Sequence, residues 1–216
     1  YSGTHYAGGH VSLARYYPEG TIISNGLSKW CGAGGWRLGF FVFPESLSWL
    51  ANAMAAVASE TFTSTSAPIQ YAAVSALEDR PEMTSYLQHS RRILAELAGH
   101  AHRTLTHAGA VMSPAAGGFY LFPRFEAHRD RLTMRGIDNG RTFCERLLEE
   151  TGVAVLPGNC FGRPDRELSL RLAIVDFDGE TALAKAADGP VDEAFVKRHC
   201  DRVTTAIERI ADWAAQ

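Results

Sequence analysis

The feature that most constrains the fold of this chain is a glycine-rich stretch at residues 24–39. A β-like run at residues 21–23 precedes it, and a second apolar run follows at residues 40–43. The stretch carries two cations, Lys29 and Arg37. Ordering so glycine-rich a segment between two buried strands costs conformational entropy, so we predict that it binds a ligand.

The residue types in this loop predict an anionic ligand that also carries a carbonyl group. Glycines at 32, 34 and 35 remove side chains where a ligand would approach the backbone. The guanidinium of Arg37 matches a phosphate bidentately, and an amine such as that of Lys29 forms a Schiff base with an aldehyde. Pyridoxal phosphate has both groups. The alternative is that both cations are solvated surface residues, as most lysines and arginines are.

Two better-known phosphate-binding loops do not fit. A P-loop has its glycines before the lysine and Ser or Thr after it, whereas Lys29 precedes the glycines and Trp30 follows it. A dinucleotide-binding fingerprint beginning at Gly32 would need glycine where Arg37 stands, and a helix where a strand is predicted. The order of residues excludes both.

Residues 26–39 read Gly-Leu-Ser-Lys-Trp-Cys-Gly-Ala-Gly-Gly-Trp-Arg-Leu-Gly. This run resembles the cofactor-attachment signature of the class I/II aminotransferases, which are fold-type I enzymes that use pyridoxal phosphate. The resemblance implies that Lys29 holds the cofactor as a Schiff base and that Arg37 binds its phosphate. Many relatives have serine three residues before the lysine, where this chain has glycine, so Ser24 or Ser28 would supply the missing hydroxyl.

A second motif lies toward the end of the chain. Residues 167–175 predict a strand in which Arg171 stands between two leucines. Locally, such an arginine is an exposed edge residue or a desolvated cation, and the pattern favours the edge. Residues 156–162 followed by residues 170–173, however, resemble the C-terminal signature of the same family, which implies that Arg171 binds the substrate's α-carboxylate bidentately.

The resemblance also bears on the first residue of the chain. In the family, a tyrosine that hydrogen-bonds the cofactor ring's phenolic oxygen lies upstream of the lysine, three positions after an acidic residue that pairs with the pyridine nitrogen. Tyr1 stands where that tyrosine would be. The chain would then correspond to roughly the C-terminal half of a family member. The alternative is that Tyr1 is a frayed terminal residue.

The predicted elements describe an α/β chain. The resemblance implies that residues 1–80 are the end of the large fold-type I aminotransferase domain, residues 81–108 a bridging helix and residues 109–216 the small C-terminal α/β domain. Helices are predicted at 45–59, 68–77, 81–107, 140–151 and 191–213, strands at 110–112, 118–123, 153–156 and 167–175, and a loop at 124–139.

Composition excludes several classes of partner. Lys plus Arg number 21 against 24 Asp plus Glu, a formal net charge of −3, which is too near neutral to indicate nucleic acid or an anionic membrane surface. No apolar run approaches the length of a membrane span. The widely spaced cysteines favour a reducing, cytoplasmic compartment. The histidines at 100, 102 and 107 do not share one helical face, so we predict ordinary polar histidines and no metal.

The hypothesis from the sequence is a pyridoxal-phosphate-dependent aminotransferase that moves an amino group between an amino acid and a 2-oxo acid. Alternatives are a related lyase that uses the same cofactor, a non-catalytic regulatory or interaction domain of aminotransferase type, and a remnant that folds without holding the cofactor well. The resemblance further implies a homodimer. It places Thr63, Ser64 and Ser66 at the interface near the partner's cofactor, and helix capping is the alternative role for each.

Overall fold

The computed structural model describes residues 4–7 and 9–216 of the chain. Tyr1, the predicted partner of the cofactor ring, lies outside the described residues. The chain forms two compact units, one ending at Gln88 and the other beginning at His89. Both contain helices and antiparallel strands, in agreement with the predicted α/β class. No helix in the described part of the chain is both long and apolar enough to cross a membrane.

A short hairpin forms the sheet of the first unit. Strand β1 (Ile23–Gly26) pairs antiparallel with strand β2 (Gly39–Val42), and the pairing ends where Gly26 lies opposite Gly39. The two strands predicted on either side of the glycine-rich loop are confirmed, but their predicted burial was wrong, because no residue of either strand is buried. Because they pair, the two ends of that loop are held side by side.

Three helices follow the hairpin. They are α1 (Ser48–Thr61), α2 (Ala67–Leu77) and α3 (Pro81–His107). Pro68 lies in the first turn of α2, where a missing N–H removes no intrahelical hydrogen bond. The bounds predicted for α2 and α3 agree with the structure to within one residue, because prolines mark both starts.

The second unit contains a sheet of three short strands in the order β3-β5-β4, all antiparallel. Side chains of the middle strand point alternately to the two faces of the sheet. Leu170 and Leu172 are buried, and Arg171 between them is half-buried. The leucine face belongs to the hydrophobic core, so the arginine lies on the opposite face. The elements are β3 (Tyr120–Leu121), β4 (Leu156–Pro157), β5 (Leu170–Ala173), α4 (Arg129–Met134), α5 (Gly140–Thr151), α6 (Gly179–Asp188), α7 (Glu193–His199) and α8 (Asp201–Ala215).

Some local predictions for this unit were wrong. Residues 124–139, predicted as a loop, contain a 3-10 turn and α4. The closing helix predicted at 191–213 is interrupted at Cys200, whose φ of −131° is not helical. Val196, Cys200 and Val203 are all buried and keep helical spacing across the break, so the hydrophobic period could not reveal it. The sequence also gave no prediction of α6.

The predicted strands of the second unit were too long. Val111 forms only a single bridge, with Arg124, instead of the strand predicted at 110–112. Of the strand predicted at 153–156, only Leu156 is in a strand, namely β4, which ends at Pro157. Proline has no N–H to continue the ladder, so strand pairing stops there.

Candidate active site

The predicted cofactor lysine lies on a tight turn at the end of the hairpin. The backbone N–H of Gly32 donates to the carbonyl of Lys29 at 3.3 Å, and that of Ala33 donates to the carbonyl of Leu27 at 3.2 Å. A further bond from the Leu27 N–H to the Leu38 carbonyl, 3.2 Å, extends the hairpin pairing by one step. The turn holds the side chain of Lys29 at the surface.

Two buried leucines hold this loop to the rest of the first unit. Leu27, fully buried, and Leu38, 8% exposed, form a core cluster with Ala73 of α2. Lys29 comes two residues after the first leucine, and Arg37 directly precedes the second. Each cation is therefore a short, fixed distance along the chain from a buried residue, which limits how far the loop can move.

Arg37 adopts a left-handed backbone conformation, with φ of 54°. A positive φ is uncommon for a residue other than glycine, and such strained positions occur often at ligand sites. The Nη1 of its exposed guanidinium donates to the carbonyl of Gly34 at 3.0 Å. This bond uses one of several N–H donors, so the remaining donors are available to an anion.

The donors on this loop fit pyridoxal phosphate. Lys29 supplies an exposed primary amine, Arg37 an exposed guanidinium, and half-buried Ser28 a hydroxyl next to the lysine. A Cβ added at Gly35 would meet no atom within 4 Å, so the backbone there is open to a ligand. An amine, a phosphate-binding fork and a hydroxyl are the groups that an aldehyde and a phosphate require.

Arg171 lies on the central strand of its sheet, so the edge position favoured by the local pattern was wrong. Its guanidinium carbon is 4.3 Å from the ring centroid of Tyr120 and 4.3 Å from that of Phe161. No carboxylate among residues 4–7 and 9–216 lies within the ion-pair distance of 4.0 Å from this guanidinium. The structure thus gives a half-buried cation held by aromatic rings.

We call Tyr120 and Phe161 the aromatic clamp. Tyr120 belongs to β3, which pairs with the strand of Arg171, and Phe161 ends the 3-10 turn Gly158–Phe161 that follows β4. Cation–π attraction restrains the guanidinium without neutralising it, so its edge N–H groups stay available to a carboxylate. Sequence reasoning missed the clamp, because no local pattern connects residues on three different elements.

Replacing Phe161 by leucine is expected to weaken the carboxylate binding that is predicted for Arg171 about 3- to 10-fold, the range of a partly exposed cation–π contact. The measurement is the dissociation constant of an amino acid, by calorimetry, for the cofactor-loaded protein. Phe195→Leu, in the same unit, is the matched control because its ring contacts His199 and not the guanidinium. Equal affinities for the Phe161→Leu variant and the unchanged chain would contradict a role for the clamp.

The residues predicted at a subunit interface lie between α1 and α2. Thr63 has φ of 70°, which a β-branched residue adopts only with strain. Ser66 is the N-cap residue of α2, but its side chain makes no capping hydrogen bond. The capping alternative was therefore wrong for Ser66, and an interface role for Thr63, Ser64 and Ser66 stays a prediction.

Comparison with known proteins identifies the family. The family model described as Aminotransferase class I and II matches residues 1–183. The chain belongs to this family. The matched range includes both Lys29 with its loop and Arg171 with its strand.

The curated relatives are aminotransferases of which this chain spans less than two fifths. It is 32% identical to the aspartate aminotransferase of Geobacillus stearothermophilus over 72% of this chain and 38% of that protein. It is 32% identical to the asparagine–oxo-acid transaminase of Streptococcus mutans over 67% of this chain and 35% of that protein.

Solved structures in the same family resemble the fold. An aspartate aminotransferase from Thermus thermophilus with maleate gives a TM-score of 0.71 at 25% identity, covering 97% of this chain and 46% of that one. The aromatic aminotransferase of Pyrococcus horikoshii gives 0.65 at 27% identity, covering 90% and 44%. The chain thus spans under half the length of these structures.

Proposed function

We propose that this chain carries the cofactor lysine and the carboxylate-binding arginine of a pyridoxal-phosphate-dependent aminotransferase. The observation that carries the proposal is that one family match spans both an exposed lysine on a tight turn and an arginine held by an aromatic clamp. The division into the end of a large domain at 1–80, a bridging helix at 81–108 and a small domain at 109–216 belongs to the same proposal.

In this proposal, each site residue has a separate role toward the cofactor or the substrate. When bound, pyridoxal phosphate supplies an aldehyde and a conjugated ring that stores electrons released at the substrate's α-carbon. Lys29 would hold the aldehyde through its Nζ, and the same nitrogen, when not attached to the cofactor, would take the substrate's α-proton and return it. Arg37 and Ser28 donate hydrogen bonds to the phosphate, and Tyr1 is the proposed donor to the ring oxygen. Arg171 donates two N–H groups to the α-carboxylate and so orients the α-carbon.

The test is to follow the cofactor's absorbance in the presence of the protein. We expect a band of protein-bound cofactor that bleaches when an amino acid is added and returns when a 2-oxo acid is added. A bound band that persists with every amino acid tried would favour the non-catalytic alternative. Release of ammonia or another fragment, without an aminated product, would favour a lyase. Failure of the protein to produce any bound band would contradict the proposal.

We also propose that the chain acts as a homodimer. Helix α1 has no buried residue and exposes Trp49 and Val57, while α2 exposes Tyr71, Val74 and Leu77. Large exposed apolar side chains favour an interaction surface on these helices. Sedimentation is expected to give twice the chain's mass, and Trp49→Glu is expected to reduce it to one chain. A monomeric mass for the unchanged chain at every concentration would contradict the proposal.

We propose a cytoplasmic location from the state of the cysteines. All the cysteines of the chain lie in the described part, and each is a free thiol. Burial raises the pKa of Cys144 and Cys200 to about 12, so both stay protonated and inert as thiols. Free thiols without a disulfide are compatible with a reducing compartment. Cell fractionation that placed the protein in an oxidising compartment would contradict this.

A further inference from the structure

The second unit has a groove of about 380 Å³ next to the end of β3. This volume falls within the range of small-molecule sites. The described residues that border the groove lie outside both family motifs and include no carboxylate. They supply three apolar side chains, one hydroxyl and two guanidinium groups, from Val111, Met112, Phe122, Ser113, Arg124 and Arg163. The charge of this lining is therefore positive.

Arg124 is fixed through its backbone. Its N–H donates to the Val111 carbonyl at 3.0 Å, and the Val111 N–H donates to the Arg124 carbonyl at 2.8 Å. A second bridge joins Arg124 to Ser169. The side chain is exposed, and no acceptor in the part of the chain that the structure describes forms a hydrogen bond or ion pair with its guanidinium. The backbone is thus held in place while the N–H donors of the side chain stay available to an anion.

Arg163 is held in place by Glu167. Its Nε donates to Glu167 Oε1 at 2.9 Å, and its Nη2 donates to Oε2. This bidentate pair orients the guanidinium and leaves the N–H groups of Nη1 for another acceptor. The pKa of Glu167 is lowered mainly by the hydrogen bond from Arg163, and in smaller part by the charges of Arg163 and Arg124. Both arginines therefore act on the same carboxylate, and one of the two positive charges stays unpaired.

The apolar side chains of the groove indicate what such an anion carries. Met112 and Phe122 are half-buried, and Val111 is 53% exposed. Burying an apolar group against these side chains is favourable, whereas an inorganic anion has no apolar group to bury. One unpaired positive charge matches a monoanion, and the planar guanidinium matches a carboxylate. The groove therefore fits a carboxylate that has an apolar body.

We propose that this groove binds a small organic monocarboxylate, with Arg124 as its bidentate partner and Arg163 Nη1 as a further donor. The apolar body of the ligand packs against Val111, Met112 and Phe122. This site is separate from the cofactor loop and from the α-carboxylate site proposed at Arg171.

The groove lies close to the aromatic clamp. The ring of Phe122, on the groove wall, meets that of Phe161, in the clamp, edge-on with centroids 6.0 Å apart. Because Arg171 in the clamp is itself a proposed carboxylate partner, the test has to distinguish binding at Arg124 from binding at Arg171.

Calorimetry of the full chain without cofactor tests the site, with benzoate as the ligand and benzamide as its neutral analogue of similar shape. We expect saturable binding of benzoate that survives Arg171→Ala, and much weaker binding of benzamide. Arg124→Gln should weaken benzoate binding about 10-fold or more, as loss of a charge-assisted hydrogen bond does. Arg141→Gln makes the same change of charge on an exposed arginine that does not border the groove, and should leave binding unchanged.

Four outcomes would overturn the proposal. Two concern the ligands, namely no saturable heat with benzoate and equal binding of benzamide. Equal weakening by Arg124→Gln and Arg141→Gln would indicate net charge alone. Loss of binding in Arg171→Ala but not in Arg124→Gln would place the ligand at the clamp.

The ¹⁵N signal of Arg124 Nε gives a direct readout in the unchanged chain. It should shift on addition of benzoate, and an unchanged signal at saturation would place the ligand elsewhere. Neither measurement needs pyridoxal phosphate, so the outcome is independent of the proposed function.

Discussion

Replacing Lys29 by alanine is expected to abolish covalent attachment of pyridoxal phosphate and to lower transamination about 10³-fold or more. The loss combines a removed nucleophile with a removed general base, and general acid–base catalysis alone contributes about 10²- to 10⁴-fold. Attachment is measured as the mass that borohydride fixes on the peptide containing Lys29. Transamination is measured as amino-acid-dependent formation of the 2-oxo acid.

Two further variants distinguish loss of the nucleophilic amine from loss of a positive charge. Lys29→Arg keeps the positive charge but has no nucleophilic amine, so it should lose the fixed mass as completely as alanine does. Lys185→Ala removes an exposed lysine whose one ion pair within the described residues is with Asp188, at 3.6 Å, and it should leave attachment and rate unchanged. If the alanine variant at position 29 still carried the fixed mass, another amine would be the site of attachment.

Replacing Arg171 by alanine is expected to raise the dissociation constant of the amino acid about 10- to 100-fold while the band of bound cofactor stays intact. The lost contact is a charge-assisted hydrogen-bonded pair, worth about 1.5–3 kcal/mol. The measurement is a titration of the cofactor-loaded protein with amino acid, followed by absorbance. The band itself serves as the internal control for folding of the first unit and for cofactor binding.

Arg171→Lys tests whether the planar guanidinium, and not only its positive charge, contributes to amino-acid affinity. Lysine offers a point charge without the planar pair of N–H groups and stacks less well on Tyr120 and Phe161, so we expect an affinity between those of arginine and alanine. Arg141→Ala is the matched control, because that arginine is exposed on α5 and has no ion pair within the described residues. Loss of the cofactor band in the Arg171→Ala variant would mean that its assigned role is wrong.

The elements that could be predicted from sequence have local signals. Asn139 caps α5 by accepting from the Thr142 N–H at 2.9 Å, and Gly152 ends the helix with φ of 74°. Both residue types mark helix ends through their own backbone preferences, so the predicted bounds of 140–151 were confirmed. The two strands of the hairpin were predicted from their apolar runs, whereas their antiparallel pairing was not predicted.

The errors arose where burial depends on distant residues. The break at Cys200 cannot be seen in the period of apolar residues, because the buried face continues through it. The neighbours of Arg171 were not predictable either, since whether a strand is central or at an edge depends on which strands pair with it. The burial of His100 could not be predicted, because it depends on how its helix packs in the second unit.

The chemistry of the loop at residues 24–39 follows from the order of residues alone. The loop places an amine, several glycines and a guanidinium at a spacing that is set by the covalent chain. That spacing alone predicts that the loop binds a ligand with an aldehyde and a phosphate. The restraint on Arg171 and the burial of His100 depend on folding. Tyr120, Phe161 and Arg171 come from separate elements, and only the pairing of β3, β4 and β5 brings two aromatic rings against one cation.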